Sequence, residues 1–91
     1  MPYKIIEPLS YTKKTIKFFK KHPNLLDRYE KTIKLMELDP FHPSLRLHKL
    51  KGLLAEYYSI SISMQYRIII EFVIKDKQII LINIGTHDKV Y

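Results

Sequence analysis

Between Tyr57 and Ser63 the chain alternates without a break. Tyr58, Ile60, Ile62 and Met64 fall on one side of an extended backbone, and Tyr57, Ser59, Ser61 and Ser63 fall on the other. A two-residue period marks a strand with one buried face. The run from Tyr66 to Lys75 is rich in β-branched residues on both sides and reads as an inner strand. Lys75-Asp76-Lys77 reads as a turn, Gln78 to Ile84 as the next strand, and Gly85 as its end. Residues 57–84 therefore predict a three-stranded antiparallel meander.

Upstream the period lengthens. Tyr11, Thr15, Phe18 and Phe19 share a helical face with Ile16 beside them, while Lys13, Lys14, Lys17, Lys20 and Lys21 fall mostly elsewhere. This predicts an amphipathic helix over 11–21 with a basic outer face, capped by Ser10 or Thr12. His22-Pro23 ends it, because a residue before proline disfavours the helical region. Asn24 is the expected cap of a second helix whose stripe is Leu26, Tyr29, Ile33 and Met36, with Glu30 and Lys34 as an i,i+4 pair. Asp39-Pro40 closes it. The tight joint at Pro23 predicts an antiparallel helical hairpin. Tyr3 to Ile6, ended by Pro8, reads as a short first strand. Residues 39–44 read as a loop, 45–51 as a short extended piece or an irregular connection, and Gly52 as a turn. The order is β-α-α-β-β-β. It predicts an α+β fold with a helical hairpin packed on one face of an antiparallel sheet, one domain over residues 1–91.

The charge balance narrows the function. Sixteen Lys and Arg against nine Asp and Glu leave a formal charge of +7 on 91 residues. That bias favours a polyanion, most simply nucleic acid, and fits an acidic protein partner equally well. The chain has no cysteine, hence no disulfide and no thiolate metal site, which fits a reducing compartment. Residues 1–8 lack the apolar core of a signal peptide, and no apolar run reaches membrane-spanning length. A soluble cytoplasmic protein with no membrane partner is expected.

Phosphate-binding glycine loops, a dinucleotide fingerprint, a zinc-protease helix and a nucleophile elbow are all absent from the sequence. His42, His48 and His87 have no metal-ligand spacing, so no cofactor and no metal are expected. What remains is a set of polar groups at one end of the predicted sheet. In a meander the start of the strand carrying Arg67 lies beside the end of the last strand, which leads into His87 and Tyr91. The turn at Met64-Gln65 falls at the same edge. A histidine that titrates near neutrality, an arginine with a fixed fork of donors, and tyrosines that stack or donate suit transesterification at an RNA phosphate. Lys49 and Lys51 could hold neighbouring phosphates.

The residues His48-Lys49-Leu50-Lys51-Gly52, Tyr57-Tyr58-Ser59-Ile60, Tyr66-Arg67-Ile68-Ile69-Ile70 and Ile84-Gly85-Thr86-His87-Asp88-Lys89-Val90-Tyr91 resemble the RelE/ParE superfamily of bacterial type II toxins, nearest the YafQ and YoeB-like branch. The resemblance spans nearly the whole chain. It implies a ribosome-dependent mRNA endonuclease neutralised by a cognate antitoxin. By position, it implies that Arg67 stabilises the phosphorane, that His48 and His87 share proton transfer, and that Tyr91 positions or protonates. It further implies that Lys49 and Lys51, in the basic loop near His48, touch RNA. Arg46 and the helix-one lysines Lys13 and Lys17 complete the expected RNA-binding set. Two positions depart from the YafQ pattern: Gln65 stands where an acidic residue is usual, and Asn83 where an arginine is usual. The same fold would serve a ParE-like gyrase inhibitor or a catalytically inactive antitoxin-binding module. The His48/His87 pair favours the ribonuclease. Oligomeric state is open.

Overall fold

Pro8, extended at ψ 153°, releases the chain into helix α1, which spans Leu9–Lys21. The computed structural model describes residues 2–86, and β1, Lys4–Ile6, precedes this helix. No side chain caps α1. Ser10 and Thr12 lie inside its first turn, and the Thr12 hydroxyl donates instead to Glu7 Oε2 at 2.5 Å. The expected break at His22 is present: its backbone N–H closes the helix onto the Phe18 carbonyl, and Pro23 begins a 3-10 turn, Pro23–Leu25. Asn24 falls inside that turn, so it does not cap α2, Leu26–Leu38. Proline is suited to a first helical position and moves the start ahead of the asparagine. On α2 the i,i+4 ion pair joins Asp27 and Lys31 at 3.3 Å, rather than Glu30 and Lys34.

The described chain builds one five-stranded sheet in the order β1-β5-β4-β3-β2. β2 is His48–Lys49, β3 Tyr58–Ser61, β4 Tyr66–Val73 and β5 Gln78–Thr86. Strands β3 to β5 form the expected antiparallel meander, β2 adds an antiparallel partner to β3, and β1 adds a parallel partner to β5. The segment 45–51 thus contains a short extended piece. Gly85 does not end the last strand. It pairs with Arg67, and Thr86 pairs with Tyr66 beyond it. Met64 lies past the end of β3, in the hairpin, 81% exposed rather than on the buried face.

Both faces of the sheet carry apolar groups, unequally. The helical hairpin covers the face of Ile60, Ile68, Ile70, Ile79 and Leu81, all essentially inaccessible, with Tyr11 and Met36, and Leu45 from the loop that follows α2 completes the core. Ile16, expected beside the first stripe, and Leu26, expected within the second, remain about half exposed. The other face has a smaller cluster of Leu50, Ile69, Leu54, Tyr57 and Ile82. A bulge supplies one of its members: Ile69 pairs with Asn83 and Ile70 with Leu81, which leaves Ile82 as the extra residue. Among the described residues no helix is long and apolar enough to cross a membrane.

Candidate functional site

Pairing register decides which polar side chains share the face without helices, because directly opposed residues point the same way. His48 opposes Ser59, which opposes Ile69. Two residues along, Ser61 opposes Arg67, which opposes Gly85. His48 and Arg67 therefore stand on one face, two strands and two residues apart, or roughly 12 Å between Cα atoms from standard strand spacings.

Arg67 is half-buried, and its Nη1 donates to Ser61 Oγ at 2.7 Å and to the Ser63 carbonyl. Ser61 in turn donates to the Ser63 carbonyl at 3.1 Å. These partners are neutral oxygens. Among the described residues no carboxylate pairs with Arg67: neither Glu71 nor Glu56 forms an ion pair with it. Its orientation follows from the local sequence. β3 ends at Ser61, the chain turns through Ser63, and the Ile62 N–H bonds the Tyr66 carbonyl, which folds the turn back over Arg67.

His48 is exposed on edge strand β2, and its Nδ1 lies 3.2 Å from the Arg46 carbonyl. A carbonyl only accepts, so Nδ1 is the donor in this contact. Arg46 sits in the left-handed region at φ 50°, ending a 3-10 turn, Pro43–Leu45, that buries Leu45. That bend sets the carbonyl under the ring. Glu56 holds the Tyr57 phenol above its ordinary value through a hydrogen bond and its charge, so this phenol keeps its proton near the His48 face.

The remaining expected residues are spread out. Lys49 opposes Tyr58 and so belongs to the face opposite His48. Lys51 precedes a 3-10 turn, Gly52–Leu54, and is exposed. Lys17 lines a groove between α1 and the end of β5, whereas Lys13 does not. His87 and Tyr91 lie outside the described residues. The strand that leads to them ends at Thr86, one residue beyond the partner of Arg67. Among the described residues no cluster of three or more His, Asp or Glu could hold a metal ion.

Sequence reasoning passed over Ser61 and Ser63 as an ordinary polar face. The available signal was three serines at alternate positions of a strand next to an arginine-bearing strand: buried hydroxyls in such a row need partners.

No protein-family model matches the sequence, and neither does any curated protein sequence. Solved structures do match the fold. The chain is similar to YafQ from E. coli strain BL21(DE3), with a TM-score of 0.78 and 15% identity over 98% of each chain. A YoeB/ParE toxin from Agrobacterium tumefaciens matches with a TM-score of 0.73 and 20% identity, over 92% of this chain and 98% of that one. A chain of the E. coli DinJ-YafQ toxin-antitoxin complex gives 0.77 at 17% identity, over 100% of this chain and 99% of that one. The α+β architecture expected from the sequence is the architecture of these toxin structures.

Proposed function

We propose that this chain is the toxin of a type II toxin-antitoxin pair and acts as a ribosome-dependent mRNA endonuclease. The observation that carries the reading is the Arg67 guanidinium, which pairs with no carboxylate among the described residues and is held by the Ser61 hydroxyl and the Ser63 carbonyl on the same sheet face as His48. The fold shared with YafQ and YoeB/ParE structures supports it.

In the proposed reaction His48 Nε2 takes the proton of a ribose 2′-hydroxyl. The 2′-oxygen bonds to the adjacent phosphorus, and Arg67 donates to the non-bridging oxygens as charge gathers there. The bond from phosphorus to the 5′-oxygen then breaks. That oxygen receives a proton from His87, with Tyr91 positioning the strand. The products are a 2′,3′-cyclic phosphate and a 5′-hydroxyl. Arg46 and Lys51 serve RNA binding beside His48, and a cognate antitoxin covers the site when activity is off.

The end groups test this scheme. RNA cut on ribosomes by the purified protein should carry cyclic phosphate upstream and 5′-hydroxyl downstream. A 5′-phosphate product would contradict it, as would DNA damage without transcript cleavage after induction.

A further inference from the structure

Lys14, Lys17, Lys20 and Lys21 stand along one side of a groove of about 620 Å³ whose floor is the end of β5, from Asn83 to Thr86. Its inner wall is aromatic. The Phe18 and Tyr66 rings meet edge to face at 5.4 Å, the His22 and Tyr66 rings lie 4.8 Å apart, and the Tyr66 hydroxyl is 3.5 Å from His22 Nδ1. Lys14 donates to the Ile82 carbonyl at 3.3 Å, which pins that cation to the strand edge. The groove does not stop at Tyr66. A second hollow, of about 440 Å³, shares His22 and Tyr66 with it, includes Arg28, and reaches Ser63, whose carbonyl accepts from Arg67. A cationic path with aromatic faces therefore runs from α1, around the β3–β4 turn, to the edge of the Arg67 face.

We propose that this path is the track for single-stranded RNA flanking the bond to be cut, with nucleobases against Tyr66 and His22 and phosphates on Lys17, Lys20 and Lys21. The proposal rests on the ribonuclease reading. A row of cations beside half-buried aromatic rings is a combination that binds single strands without sequence preference: the phosphates supply counterion release and the accessible parts of the rings supply stacking. A solvated helix face would also carry lysines. It would not set them over an aromatic wall continuous with a phosphate-directed arginine.

The test is fluorescence anisotropy of a labelled oligouridine of about ten nucleotides. The wild type is compared with a variant carrying Lys14→Gln, Lys17→Gln, Lys20→Gln and Lys21→Gln. A charge-matched control carries Lys4→Gln, Lys31→Gln, Lys34→Gln and Lys75→Gln. The groove variant should lose roughly tenfold in affinity at moderate salt, and its log-log salt slope should fall by about 2, whereas the control should lose much less. Thiouridine crosslinking to the wild type, mapped by mass spectrometry, should mark Tyr66 or His22, and this readout does not depend on how the variant folds. Equal losses in the two variants with crosslinks elsewhere would overturn the track. So would an oligoglutamate peptide that binds the groove while RNA does not. Ribosomal cleavage by the wild type is scored alongside. Cleavage without groove binding sinks the track alone, and groove binding without cleavage sinks the ribonuclease reading.

Discussion

Arg67 Nη1 donates to Ser61 Oγ at 2.7 Å across the β3–β4 pair, so a hydroxyl rather than a carboxylate sets the direction of the guanidinium. Ser61→Ala should cost about 1 kcal/mol in urea unfolding, because the Ser63 carbonyl still accepts from Arg67. It should slow cleavage more than the stability loss explains, and Ser61→Thr should recover most of the rate. Arg67→Lys keeps the charge but loses the fork, and should lower the cleavage rate by about a hundredfold with an unchanged melting temperature.

The ring of His48 is set by the Arg46 carbonyl at 3.2 Å. His48→Ala should reduce cleavage by about a hundredfold or more, and added imidazole should restore part of the rate. His48→Gln should not be rescued as well, because its amide fills the space without supplying a base. Arg46→Gly should be neutral or slightly stabilising, since glycine accepts φ 50° without strain.

Tyr11 and Tyr29 share a hydrogen bond of 2.9 Å between their hydroxyls, under the helical hairpin. Burial pushes the Tyr11 phenol well above the ordinary tyrosine value and raises that of Tyr29. A group whose pKa rises on folding contributes stability that is complete below its unfolded value and is lost as pH climbs past it. Unfolding free energy should therefore be flat from neutrality to about pH 10 and then fall. Tyr11→Phe should lower stability at neutral pH by about 1 kcal/mol and flatten the alkaline fall. Urea melts at stepped pH would show both.

How far the sequence could be read depended on the range of the interactions. Alternation around Ile60 and the crowding of β-branched residues in β4 are properties of neighbouring positions, and they located the meander and its inner strand. The placement of Arg67 beside the end of β5 followed from meander topology and holds as its pairing with Gly85. Three features depended on the partner chosen in space. Gly85 stays in the strand because Arg67 offers it a ladder partner. Asn24 loses its capping role because Pro23 starts the turn first. The parallel pairing of β1 with β5 joins residues far apart in the chain, where no local pattern operates. At the candidate site, the strand position of Arg67 was legible, but the Ser61 and Ser63 clamp on it and the Arg46 carbonyl under His48 were not. Both depend on backbone turns that a periodicity does not describe.

The groove beneath α1 shows the same limit. A basic helix face is visible in the sequence as five lysines. Only the fold lays four of them along the end of β5 and turns Tyr66 and His22 toward them. Met36→Ala, at the opposite end of the helical layer, should destabilise the protein by about 3 kcal/mol through its empty cavity. Its RNA affinity should be unchanged wherever the variant remains folded, as read by anisotropy below its melting temperature.

The central claim is that Arg67 acts on a phosphate of mRNA held by the ribosome. Primer extension on a defined message in a purified translation system reads this directly. The wild type should give new stops within the coding region that need ribosomes, and Arg67→Ala, folded by circular dichroism, should give none. Stops of wild-type strength from Arg67→Ala would contradict the account, as would a wild type that leaves the message whole.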